Sequence, residues 1–127
     1  MPKRDFVAKR LEKLLSSISH HSRIRIIAEL GNRELCVSEL KDILGISSSS
    51  VSRHLSVLKS AGTVSERREG HHVYYNLTDQ ELAVWLIDAI KFIEPDQEKT
   101  RDLSRAIKQT QLKWLPGNNQ SASGKRA

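Results

Sequence analysis

The sequence has one cysteine, no long apolar run and no set of residues that makes a catalytic centre. The single cysteine, Cys36, excludes an internal disulfide and suits a reducing compartment. The longest apolar stretch, Leu82 to Ile93, is interrupted by Asp88 and Lys91. It falls short of the roughly 18 residues a membrane helix requires, so no membrane partner is expected. The N-terminus reads Met1-Pro2-Lys3-Arg4-Asp5, without an apolar segment ending in small residues, so no secretory signal is expected. A cytoplasmic location follows as the expectation. No Gly-rich phosphate loop or pair of carboxylates stands out, and nothing places Cys36 beside His20 or His21 as a nucleophile and base. The chain is not expected to be an enzyme.

What is present is one domain's worth of chain, 127 residues, 38% hydrophobic and 28% charged. Its net charge of +6 favours a polyanionic partner, because each phosphate contact releases condensed counterions. The surplus is uneven: residues 1–78 hold 13 Lys/Arg against 8 Asp/Glu, whereas the remainder is close to balanced.

Periodicity organises the chain as mainly α with a small β-hairpin. Val7, Leu11, Leu14, Leu15 and Ile18 recur at helical spacing over residues 5–18. Ser19 or His20 opens a second helix, which Gly31-Asn32 stops. An extended piece, residues 34–37, leads to Ser38 as N-cap of a short helix ending at Leu44. Gly45 supplies a tight turn, and Ser47 caps a helix over residues 48–61, with Val51, Leu55 and Leu58 on its inner stripe. Two β-rich segments, 63–68 and 72–77, flank a turn at Glu69-Gly70-His71. Thr78 or Asp79 caps a helix reaching about Ile93 that is apolar on two sides, which suggests a partner subunit. Residues 1–94 thus form one domain, 95–115 an added C-terminal helix with Leu103, Ile107, Thr110 and Trp114 on one stripe, and 116–127 a disordered tail.

The stretch from Ser38 to Leu77 reads as a winged helix-turn-helix. In that motif the second helix enters the major groove of duplex DNA, so its first outward positions must be small or polar. Ser47, Ser48, Ser49, Ser50, Ser52, Arg53 and His54 meet this demand, with hydroxyls for phosphates or bases and Arg53 for a guanine edge or a phosphate. His54 reads equally well as a packed structural residue. Lys59, later on the helix, suits the backbone. At the hairpin tip Arg67, Arg68 and His71, with His72, supply cations for a wing lying along the adjacent groove.

These segments carry a family resemblance. Glu34-Leu35-Cys36-Val37-Ser38-Glu39-Leu40, Ser50-Val51-Ser52-Arg53-His54-Leu55 and Arg67-Arg68-Glu69-Gly70-His71-His72-Val73-Tyr74-Tyr75 resemble the ArsR/SmtB family of metal-responsive repressors, above all its arsenic-repressor branch. The resemblance spans about residues 5–94. It implies a homodimer joined through the terminal helices, repression by operator binding, and release by an inducer such as arsenite or antimonite, As(III) or Sb(III). It also implies a metal role for Cys36. That branch usually carries two cysteines where this chain has Cys36 and Ser38, since trivalent arsenic favours several soft thiolates. Positions matching the family's zinc site are Asp79, Glu81, Phe92 and Pro95, of which the last two offer no ligand. Cys36 therefore stands open between a small packed residue, a remnant ligand and a single-thiol sensor. A constitutive DNA-binding regulator without metal sensing and a winged-helix protein-interaction module remain the alternatives.

Overall fold

The computed structural model describes residues 2–93 and 100–114, the side chains of 100–103 excepted. Six helices and one hairpin follow in order: α1 (Pro2–Ile18), α2 (His21–Glu29), α3 (Val37–Leu44), α4 (Ser48–Ser60), β1 (Val64–Glu69), β2 (His72–Leu77), α5 (Glu81–Ala89) and α6 (Thr100–Trp114). A 3-10 turn, Ile90–Phe92, extends α5. This is the winged helix-turn-helix architecture. Among the described residues no helix is long and apolar enough to cross a membrane.

The core forms where the periodic stripes converge. Ile26, Ile27 and Leu30 from α2 and its end meet Leu40 and Leu44 from α3, and Val51, Leu55 and Leu58 from α4. Leu35, Val64, Leu77 and Ala83 close the cluster from the wing and α5. Most of these side chains are fully enclosed, so deleting one costs both transfer energy and a cavity, about 2–5 kcal/mol for Leu→Ala.

The turn of the helix-turn-helix is set locally. Gly45 adopts φ 69°, a left-handed conformation that its missing Cβ makes inexpensive, and its N–H donates to the Lys41 carbonyl. Ser47 then caps α4, its Oγ accepting from the Ser50 N–H at 3.1 Å. The hairpin closes through Gly70-His71, with Gly70 at φ 60° and Glu69 paired to His72, the pattern of a II′ turn.

Several boundaries differ from the sequence expectation; β1, for one, runs 64–69 rather than 63–68, and α4 ends at 60 rather than 61. α1 begins at Pro2 rather than at residue 5. α3 is capped by Cys36, not Ser38, because the Glu39 carboxylate reaches back to accept the Cys36 N–H at 3.1 Å. The extended piece before it is fixed by Leu35, which exchanges two backbone hydrogen bonds with Tyr75 on β2. α5 starts at Glu81, whose N–H donates to Asp79 Oδ1, and gives way to 3-10 geometry at Ile90. The expected start of the C-terminal segment at residue 95 and the tail from 116 lie outside the described residues.

Two apolar surfaces stay uncovered in one chain. On α1, Phe6, Val7, Leu11 and Leu15 are exposed, while only Ile18 is buried. On α5 and just after it, Val84, Trp85, Phe92 and Ile93 are exposed although Ala83 is buried. By contrast, α6 is tied to its own chain. Trp114 Nε1 donates to Glu29 Oε1 at 3.2 Å, and Arg33 holds the other oxygen of this buried carboxylate at 2.7 Å. The two donors satisfy a charge that would be costly to bury alone.

Candidate nucleic-acid interface

The outward side of α4 opens with a hydroxyl cluster. Ser47 Oγ caps the helix and lies 3.1 Å from Ser49 Oγ and 3.0 Å from Ser50 Oγ. Ser47, Ser48, Ser49 and Ser52 are exposed, and Ser50 is half-buried. Arg53 is exposed one turn further on and donates from Nη2 to Ser50 Oγ at 3.1 Å. A neutral hydroxyl is an easy partner to leave, so this guanidinium is available to a base edge or phosphate. Val51, Leu55 and Leu58 are buried behind, which fixes the rotation of the helix and turns these polar groups to solvent.

His54 is placed differently from its serine neighbours. It is half-buried, its ring centroid 4.4 Å from that of His20, and its Nδ1 accepts from Arg23 Nη1 at 3.4 Å.

At the wing the cations already have partners. Arg67 donates from Nε and Nη2 to the Glu34 carboxylate at 3.0 Å and from Nη1 to Glu69 at 2.9 Å. Its guanidinium carbon also lies 5.0 Å from the centroid of the Tyr74 ring. Hydrogen bonds to Glu34, then to Glu69, hold the Arg67 guanidinium above its ordinary pKa. Lys59 pairs with Glu66 at 3.0 Å, and this contact is the main reason the Glu66 carboxyl lies below its usual range. Arg68 is the looser cation, 74% exposed and 3.7 Å from Glu66, and His71 and His72 are exposed at the tip. The carboxylates of Glu34, Glu66 and Glu69 were missed in reading the sequence for cations. Glu34 is 33 residues from Arg67, and no local pattern joins them.

Cys36 is half-buried at the start of α3. Among the described residues no group of three or more His, Cys, Asp or Glu is arranged to hold a metal ion. Asp79 and Glu81 lie at the start of α5 and Phe92 beyond its end, while Pro95 lies outside the described residues.

Comparison with known proteins agrees with this geometry. Residues 22–66, which span α2 to the middle of β1, match the family model described as "Bacterial regulatory protein, arsR family". The HTH-type transcriptional repressor SmtB of Mycobacterium tuberculosis is 40% identical over 78 residues, covering 61% of this chain. The match spans only 58% of that relative's length. The biofilm growth-associated repressor of Xylella fastidiosa is 34% identical over 92 residues, covering 72% of this chain and 80% of that protein. The solved structure of reduced HlyU from Vibrio cholerae superposes with a TM-score of 0.66 at 26% identity, covering 75% of this chain and all of that one.

Proposed function

This chain belongs to the arsR family of bacterial regulatory proteins, and on that premise we propose that it is a sequence-specific transcriptional repressor that holds operator DNA as a homodimer. The observation that carries the reading is the start of α4, where Ser47, Ser48, Ser49 and Arg53 are exposed on a helix whose other side is packed. Small hydroxyl side chains let the helix approach base edges closely, and the guanidinium offers a bidentate contact to guanine. Arg68 and the imidazoles of the wing tip then rest on neighbouring phosphates.

The second subunit is read from the uncovered apolar faces. Packing α1 and α5 against their twofold mates buries Phe6, Leu11, Leu15, Val84 and Trp85, residues that a monomer leaves in water. A Leu11→Glu/Trp85→Glu variant is expected to sediment as a monomer and to lose operator binding with it. The stripe on α6 lends no support to a protein-interaction module, since Trp114 is engaged by Glu29 of the same chain.

The inducer proposed is arsenite, antimonite or another thiol-reactive agent acting at Cys36, beside the Leu35–Tyr75 pairing that joins α3 to the wing. Only one thiol is present per chain, so the agent is tested rather than read from a ligand set. An operator gel-shift with arsenite, antimonite, zinc, cadmium and an oxidant, on wild type and Cys36→Ser, decides it. Release by a thiol-reactive agent that is lost in the variant supports the reading. Release by none leaves a constitutive binder, and no specific complex at low salt contradicts the repressor itself.

A further inference from the structure

A notch of about 500 Å³ opens between the start of α2 and α4, and its polar lining is His20, His21, Arg23, Ser50, Arg53 and His54. Three imidazoles meet in it: the His20 centroid is 4.6 Å from that of His21 and 4.4 Å from that of His54. Groups facing them come from every neighbouring element. α2 adds Ser22, α4 adds Val57, the turn after α3 adds Ile46, and the last turn of α1 holds only Leu15, Ser16, Ser17 and Ile18. Among the described residues no carboxylate lines the notch.

Two of the three imidazoles are held toward their neutral form by their contacts. His20 Nδ1 accepts the Ser22 N–H at 3.0 Å and so caps α2, and His54 Nδ1 accepts from Arg23. Each contact uses a lone pair that protonation removes. Burial first, then the charges of their cationic neighbours, hold both imidazoles below the ordinary histidine value. Arg23 is meanwhile under-used, its Nε buried without a partner.

An oxyanion reverses each of these conditions. It accepts the Ser22 N–H in place of His20 Nδ1 and the Arg23 N–H in place of His54 Nδ1. Both ring nitrogens are then free to take protons from solvent, and the imidazolium N–H groups donate hydrogen bonds to the anion. Ser50, Arg53 and His54 belong both to the notch and to the exposed start of α4, which puts a duplex backbone within reach.

We propose that this notch seats one backbone phosphodiester of the bound duplex, and that filling it draws protons onto His20 and His54. The inference rests on the duplex-binding reading above and adds His20, His21 and Arg23 to the contact surface. It makes affinity pH-dependent with a defined sign. Binding takes up protons between the lowered free values and the raised bound values, so affinity rises as pH falls through that window.

The test is an anisotropy titration of the full chain against duplex from its own promoter region. Wild-type affinity is expected to rise about tenfold from about pH 8 to about pH 6. His20→Asn/His54→Gln, in which Asn retains a capping acceptor, is expected to reduce that rise to less than about twofold and the salt slope by about one. Lys108→Gln, altered on the exposed side of α6, keeps the rise. Should the double variant not fold, the ring-proton NMR titration of wild-type His20 and His54 answers instead: both values climb on saturation with duplex. Tight binding with no pH dependence, unchanged values, or a climb with inorganic phosphate but not with duplex, each overturns the proposal and leaves duplex binding standing. No duplex binding at any pH overturns both.

Discussion

At the start of α4, Arg53 leans on a serine hydroxyl, whereas on the wing Arg67 is clamped between two carboxylates. The two arginines count equally in the net charge but not in what they offer a phosphate. Arg53 gives up a neutral hydrogen bond, while Arg67 must break charge-assisted ones before it gains another. Lys59 resembles Arg67 in this respect, being paired with Glu66. The lesson is that a basic surface is measured by its unpaired cations. By that measure the helix end leads and the wing, apart from Arg68, follows.

The sharpest way to break this comparison is to remove the leading residue. Arg53→Ala is expected to weaken operator binding by about thirtyfold, roughly 2 kcal/mol, and to relax sequence preference, as judged by anisotropy against cognate and scrambled duplexes. Equal losses from Arg53→Ala and Arg67→Ala would erase the distinction. Ser47→Ala removes the cap that orders the hydroxyl cluster and is expected to lower stability by about 1 kcal/mol in urea melts. Unchanged stability there would show that the cap contributes little.

A third change works by gain. Glu34→Gln/Glu69→Gln releases Arg67 from both negative partners and is expected to raise duplex affinity about threefold at low salt, with a steeper salt slope. Weaker binding would mean that the clamp orients Arg67 for the phosphate instead of withholding it. The smallest effect concerns acid. Glu66 titrates lower when folded than its ordinary 4.5, so its contribution is full above that value and is lost as pH falls through the folded value. Urea midpoints of wild type and Glu66→Gln should therefore differ at neutral pH and converge in acid.

Much of the scaffold was legible because its signals are local. Gly45, the Ser47 cap, the buried Val51–Leu55–Leu58 stripe and the Gly70 turn each follow from residues within a few positions of one another. The cap of α3 was not, since Cys36 is an uncommon N-cap and owes its place to Glu39 and to the Leu35–Tyr75 pairing. The pairing of Arg67 with Glu34 and the ring contact of His54 with His20 join residues more than thirty apart. They arise when α2, α4 and the wing pack, and no periodicity announces them.

Amide hydrogen exchange with and without operator duplex puts the central claim to its most direct test. Slowed exchange is expected over residues 47–54 and at the wing tip, with α6 unaffected. Protection confined to α6 or α1, with residues 47–54 exchanging as in the free protein, would contradict the assignment of α4 as the DNA-reading helix.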